Sequence, residues 1–152
     1  MRYVNAMMAL LLFALLSTTT PGQTHPKKDQ ELIQGAWEVS ESIARGTALP
    51  DDIRKELRFA FKGDKLTVTG EMGTGSIREY SFKLDQTKSP KAIDTTALTG
   101  PHKGKTVPAI YELNGDILKI CIPNEVTSER PNEFKAPKEK NQCLFVLKRQ
   151  KK

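Results

Sequence analysis

Side chains able to carry covalent or proton-transfer chemistry are few in this 152-residue chain, which has two histidines and two cysteines. His25 lies near the N-terminus, and His102 sits in Gly100-Pro101-His102-Lys103-Gly104, so a serine or cysteine nucleophile would have to recruit its base from a glycine-flanked turn. No Gly-x-Ser-x-Gly elbow is present. The two cysteines and two histidines stand at spacings unrelated to a zinc site, so no metal is expected. Asp51-Asp52 could act as paired carboxylates, but directly after Pro50 they read as helix-start residues with a capping role. Asp94 reads as a surface or turn residue. The loop Gly70-Glu71-Met72-Gly73-Thr74-Gly75 lacks the Lys-Ser/Thr that a phosphate-binding loop needs. The chemistry expected is therefore binding rather than catalysis, with no cofactor.

The elements that position these residues are strands. Leu57, Phe59 and Phe61 alternate with polar or small neighbours, as do Leu66 and Val68, then Tyr80, Phe82 and Leu84. The same period of two recurs in Val107, Ala109, Tyr111 and Leu113, and again in Leu118, Ile120 and Ile122. Each such run describes a strand with one buried and one wet face, as antiparallel sheets have. Asn114-Gly115 between two runs is a hairpin turn, and Lys62-Gly63-Asp64 is another. With residues 35–42, 91–98 and 142–149 added, about eight short strands follow in sequence. Pro108 inside one of them predicts a bulge or an edge. One short helix is expected over residues 51–56, after the first strand. The fold class is all-β, and an eight-stranded antiparallel up-and-down barrel fits this order best.

Two end features favour closure of that barrel. Gly35-Ala36-Trp37 opens the first strand and Lys148-Arg149 ends the last. A basic side chain laid over the indole would plug one end by a cation–π contact worth about 0.5 to 2 kcal/mol. Gly35, Trp37 and Arg149 are thus the predicted closure, and the arrangement resembles that of the lipocalins.

The first 22 residues have a different character. Arg2 precedes an apolar stretch from Val4 to Leu16, followed by small and turn-forming residues to Gly22. That stretch is too short to span a bilayer but suits a cleavable export signal, with an uncleaved amphipathic anchor as the alternative. Residues 23–30 read as a polar leader, 31–149 as the barrel domain and 150–152 as a basic tail. In an exported protein Cys121 and Cys143 favour a disulfide. Strand parity opposes it: with Leu118, Ile120 and Ile122 inward Cys121 faces outward, whereas inward Arg149 sets Cys143 inward. Closure and disulfide therefore compete, unless a bulge resets one strand.

From Leu32 to Arg149 the chain resembles a small lipocalin-like domain family of unknown function that is abundant in planctomycete bacteria. The matching segments include Leu32-Ile33-Gln34-Gly35-Ala36-Trp37, Phe61-Lys62-Gly63-Asp64-Lys65-Leu66 and Phe82-Lys83-Leu84-Asp85. They continue in Lys88-Ser89-Pro90-Lys91-Ala92-Ile93-Asp94 and Gly104-Lys105-Thr106-Val107-Pro108-Ala109-Ile110-Tyr111. Arg130-Pro131-Asn132-Glu133-Phe134 and Leu144-Phe145-Val146-Leu147-Lys148-Arg149 complete them. Lys138-Glu139-Lys140-Asn141 departs from the family's more usual Gly/Ser-rich turn. The resemblance implies the barrel fold and export, and it implies no catalytic residue.

Two functions follow as expectations. One is a barrel that binds a small apolar or amphipathic ligand, lined by Phe59, Phe61, Tyr80, Phe82, Val107 and Tyr111. The other is an interaction module of the cell envelope whose interior is filled and whose basic tail contacts anionic surfaces. The net charge of +6 resides largely in Arg2 and the four cations of residues 148–152, leaving +1 for residues 23–147. Nucleic acid is therefore not an expected partner.

Overall fold

The structure is a computed structural model, and it describes residues 28–71, 76–126 and 128–151. The export signal and residues 23–27 of the leader lie outside the described residues, as do Met72 to Gly75 and Lys152. Among the described residues, two short helices, α1 (Asp29–Leu32) and α2 (Asp51–Glu56), accompany nine strands. These are β1 (Gly35–Ala44), β2 (Thr47–Ala48), β3 (Arg58–Lys62), β4 (Lys65–Glu71) and β5 (Ser76–Asp85). β6 (Lys91–Ala97), β7 (Thr106–Asn114), β8 (Ile117–Pro123) and β9 (Gln142–Arg149) follow.

Every pairing is antiparallel between neighbours, in the order β2-β1-β3-β4-β5-β6-β7-β8-β9, and β9 pairs back onto β1. The result is a closed eight-strand up-and-down barrel, with β2 as an extra two-residue strand on the end of β1. Closure satisfies the backbone groups that an open sheet edge would leave to solvent. The predicted alternation sets the inward face: Phe59 lies in register with Val68 and Phe61 with Leu66. Phe82 opposes Thr95, Ile93 opposes Ala109, and Leu118 opposes Leu147. Their side chains form the core with Ile33, Trp37, Val39, Leu57, Tyr111 and Ile120.

Three sequence expectations are corrected, and a fourth is met by one of its two alternatives. Residues 29 and 30 belong to the fold rather than to the leader, because α1 packs across one barrel end and Asp29 is buried there. A helix therefore precedes the first strand as well as following it. Of the bulge or edge expected at Pro108, the structure has the edge: Pro108 stays in register with Asp94 of β6 and lies where β7 has lost β8, whose last partner is Ile110. The bulges fall elsewhere, at Val39/Glu41 in β1 and at Thr69/Glu71 in β4. Asp51 and Asp52 do not cap α2, since the N-cap is Pro50 and carries no side-chain cap bond.

The connection between β8 and β9, described over residues 124–126 and 128–141, crosses the outer wall as a strap, over a cross-strand row formed by Ala92, Ile110 and Cys121. All three are buried although they point away from the barrel interior, and Ala136 of the strap is buried with them.

Candidate functional site

The two barrel ends differ, and the difference begins with Trp37. Its indole is fully buried and donates from Nε1 to Ile33 O at 2.9 Å, so the chain between α1 and β1 is fixed to the ring it covers. The Arg149 guanidinium stacks 4.2 Å from the indole centroid. The same guanidinium donates to Leu32 O at 2.6 Å, Gln34 O at 2.7 Å and Asp116 Oδ1 at 3.0 Å. Gly35 permits this approach: a Cβ there would stand 3.4 Å from Arg149 Nη1, on a backbone with φ +115°. The predicted closure of Gly35, Trp37 and Arg149 is thus assembled in space.

Deeper in the same end, Asp29, the first residue of α1, is buried. Its Oδ2 accepts from Tyr111 Oη at 2.8 Å and from Lys91 Nζ at 2.7 Å. A buried carboxylate is tolerated because both partners reach it, one of them charged. Burial, followed by the Asp29 hydrogen bond, holds the Tyr111 phenol far above the ordinary tyrosine value. Tyr111 is therefore a neutral hydrogen-bond donor that pins the plug. Sequence reasoning gave Tyr111 a lining role and missed Asp29, whose partners lie 62 and 82 residues away.

The mouth is the end where β1 finishes and β9 starts. Past the β1 bulge, Ser42 lies in register with Phe145 and Ala44 with Cys143, so the inward face continues in small residues. Leu49, Tyr80, Ile122 and Phe145 pack against the core while keeping part of their surface exposed, and Val107 is also half-buried. Ser42 and Thr95 are buried polar side chains on this inner wall. Arg78 follows the parity of Tyr80 and Phe82, in register with Val68, and its guanidinium lies beside Gly100.

The predicted lining residues divide along this axis. Phe61 and Phe82 meet edge to face at 5.1 Å, and Phe59 packs against Phe145 at 5.4 Å. Phe59, Phe61, Phe82 and Tyr111 are core, whereas Tyr80 and Val107 stand at the mouth. Leu49, Ile122, Phe145 and Arg78 were missed as a group. The parity of Arg78 with Tyr80 and of Phe145 with Leu147 was the available signal.

Cys121 and Cys143 face opposite sides of the sheet, and no disulfide joins them. The Cys121 thiol is pushed up to about 11 by burial and donates weakly to Lys135 O at 3.4 Å. Cys143, on the inner face, donates to Asn124 Oδ1 at 2.9 Å. Asp51 receives both Nε and Nη2 of Arg54, at 3.2 and 2.9 Å, and this pairing lowers its carboxyl from the usual range. Asp94 is ion-paired with Arg130 at 2.7 Å. His102 is exposed on the turn after Gly100. Among the described residues, no group of three or more His, Cys, Asp or Glu side chains converges as a metal site would need.

Two of the clefts among the described residues lie at the plugged end. One, of about 260 Å³, is lined by Lys88, Pro90, Lys91, Tyr111, Leu113 and Phe134 among others. The other, of about 750 Å³, runs along Gln34, Gly35, Ala36, Arg149, Gln150 and Lys151. The tail begins inside the fold, since Gln150 N donates to Ala36 O at 2.9 Å. Arg149 is therefore part of the plug, and Lys148 and Lys151 are exposed cations of this end. Comparison with family models, with curated proteins and with solved structures gives no match to this chain.

Proposed function

We propose that the protein is an exported, non-enzymatic, lipocalin-like barrel that takes the apolar part of a small amphipathic ligand into its mouth. The observation that carries this reading is the group of partly exposed apolar side chains on the inner face at the mouth. Ile33, Trp37, Leu118 and Leu147 at the plugged end are completely buried, with Leu84 and Leu113 partly exposed beside them, while Leu49, Tyr80, Val107, Ile122 and Phe145 keep part of their surface exposed at the other end. A cup of apolar side chains with a few fixed polar groups is the usual make-up of a small-molecule site. Ser42 and Thr95 supply the polar groups within it.

The test is a fluorescence titration with cis-parinaric acid, an amphiphile that brightens when its chain is desolvated. Saturable binding at one site per chain, weakened by Tyr80→Asp and by Val107→Asp, supports the reading. Unsaturable binding, or binding indifferent to both substitutions, overturns it.

A second reading has its own support. Phe61 and Phe82 fill the middle of the barrel, and Lys148 and Lys151 remain exposed at the plugged end. A filled module that contacts anionic envelope surfaces through those lysines would bind phosphatidylglycerol vesicles in a salt-sensitive way.

A further inference from the structure

The wall of the barrel is incomplete at one place beside the mouth. β7 and β8 stay paired only as far as Ile110 with Cys121. Continuing that register would set Ala109 against Ile122 and Pro108 against Pro123. Neither proline has an N–H to give, so the ladder cannot be continued through that pair. Each strand keeps its other neighbour: Pro108 stays opposite Asp94 of β6, and Pro123 opposite Gln142 of β9. The unpaired stretch is therefore a slit rather than a frayed end. Val107 and Ile122, two of the half-buried mouth residues, flank it on the inner face.

The strap crosses this slit on the outside and is fastened on both sides. On the β6–β7 side, Arg130 Nη1 donates to Ala109 O at 2.6 Å and Nη2 to Asp94 Oδ1 at 2.7 Å. On the β8–β9 side, Lys135 O accepts from Cys121 Sγ and from Gln142 Nε2, and Ala136 O accepts from Gly46 N at 2.6 Å. The fastenings are unequal. Ala136 is buried, whereas the Arg130 side chain is 35% exposed and Asp94 is 44% exposed. An exposed ion pair is the weaker anchor.

We propose that the slit between β7 and β8 is a side entrance to the mouth, and that Arg130 is the latch that keeps the strap closed over it. The proposal rests on the ligand-binding reading and specifies how that site is reached. Releasing Arg130 from Asp94 and Ala109 lifts the 128–134 part of the strap and opens the wall where no ladder bond has to break. A gate of this kind changes the rates at which an apolar chain enters and leaves, and leaves the affinity nearly constant.

The experiment compares the wild-type protein with Arg130→Ala and Asp94→Asn, and with Arg130→Lys as the conservative variant. Two rates are measured on each: iodoacetamide labelling of Cys121, read separately from Cys143 by peptide mass spectrometry, and stopped-flow association and dissociation of cis-parinaric acid. Cys121 is fully buried beside the strap, so its labelling reports the strap without any ligand. Loss of the latch should speed Cys121 labelling by about tenfold, as expected for one charge-assisted hydrogen bond. It should also speed probe entrance and exit by a similar factor at an unchanged dissociation constant, with Arg130→Lys in between. Faster labelling with unchanged probe rates means that the strap moves but covers no entrance. Unchanged labelling in both Arg130→Ala and Asp94→Asn means that Arg130 is no latch. Either result overturns the proposal while leaving the binding reading standing. A wild-type protein that binds no probe overturns both.

Discussion

Arg149 lies 4.2 Å above the indole of Trp37, and the two residues stand opposite each other in the register that joins the last strand to the first. One contact thus closes the barrel circumferentially and caps it axially. The guanidinium also holds Leu32 O and Gln34 O, the carbonyls of the chain that leads from α1 into β1. Replacing Arg149 by Ala removes the stacking and leaves the Leu32 and Gln34 carbonyls without their side-chain donor. The expected loss is about 3 kcal/mol, read as a lower urea midpoint. Lysine keeps the charge but cannot span both carbonyls and the ring, so Arg149→Lys should recover less than half of it.

Asp29 is the second fastening of the plug, and its removal has an asymmetric consequence. In Asp29→Ala, the Tyr111 hydroxyl and the Lys91 ammonium lose a common acceptor, which should cost about 3 kcal/mol. Combining it with Lys91→Met should cost less than the sum of the two single changes. Additive effects in urea unfolding would show that the three groups do not act as a unit.

Alkaline stability follows from two groups whose neutral forms the fold prefers. Burial raises the Cys121 thiol to about 11, and burial together with Asp29 raises the Tyr111 phenol further. Both values are raised above those of the unfolded chain. The stability they contribute is therefore complete below the unfolded values and is lost as pH rises past them, from about 9 for the thiol and about 10 for the phenol. The urea midpoint should decline from pH 9 upward. Cys121→Ala should flatten the first part of that decline and Tyr111→Phe the later part. A midpoint constant from pH 8 to pH 11 would contradict this.

Gly70 and Gly63 form a matched pair. Both have positive φ, +80° and +64°, but a Cβ on Gly70 would run into the Glu56 carbonyl at the end of α2, whereas one on Gly63 meets nothing within 4 Å. Gly63→Ala should cost only backbone strain, about 1 kcal/mol. Gly70→Ala should cost at least about twice that, because backbone rather than a flexible side chain must move. Equal thermal shifts for the two would mean that α2 gives way freely.

Much of this architecture is legible in residue order. Period-two alternation and turn residues such as Asn114-Gly115 place eight strands, and the parity of Cys121 against Leu118 already sets the thiol outside. What escapes is decided at long range. Asp29 reads as part of a polar leader because Tyr111 and Lys91 are brought to it only by closure. Ser42 reads as outward from Trp37 until the bulge at Val39/Glu41 shifts the strand. The strap has no periodicity because its residues cover the outer wall instead of joining a ladder. Pro108 and Pro123 are each visible as breakers, but their opposition appears only when β7 is laid beside β8. Which of the six expected lining residues stand at the mouth escapes for a similar reason: alternation tells inside from outside, and position along the barrel axis comes from register.

The most direct measurement is the cis-parinaric acid titration at low salt, with Phe61→Leu and Val107→Asp alongside the wild-type protein. A cup at the mouth predicts saturable binding with a dissociation constant near the micromolar range, about 8 kcal/mol of binding free energy. It also predicts near-normal affinity for Phe61→Leu and at least a tenfold loss for Val107→Asp. Binding that fails to saturate, or that survives Val107→Asp unchanged, would contradict a ligand site at the mouth.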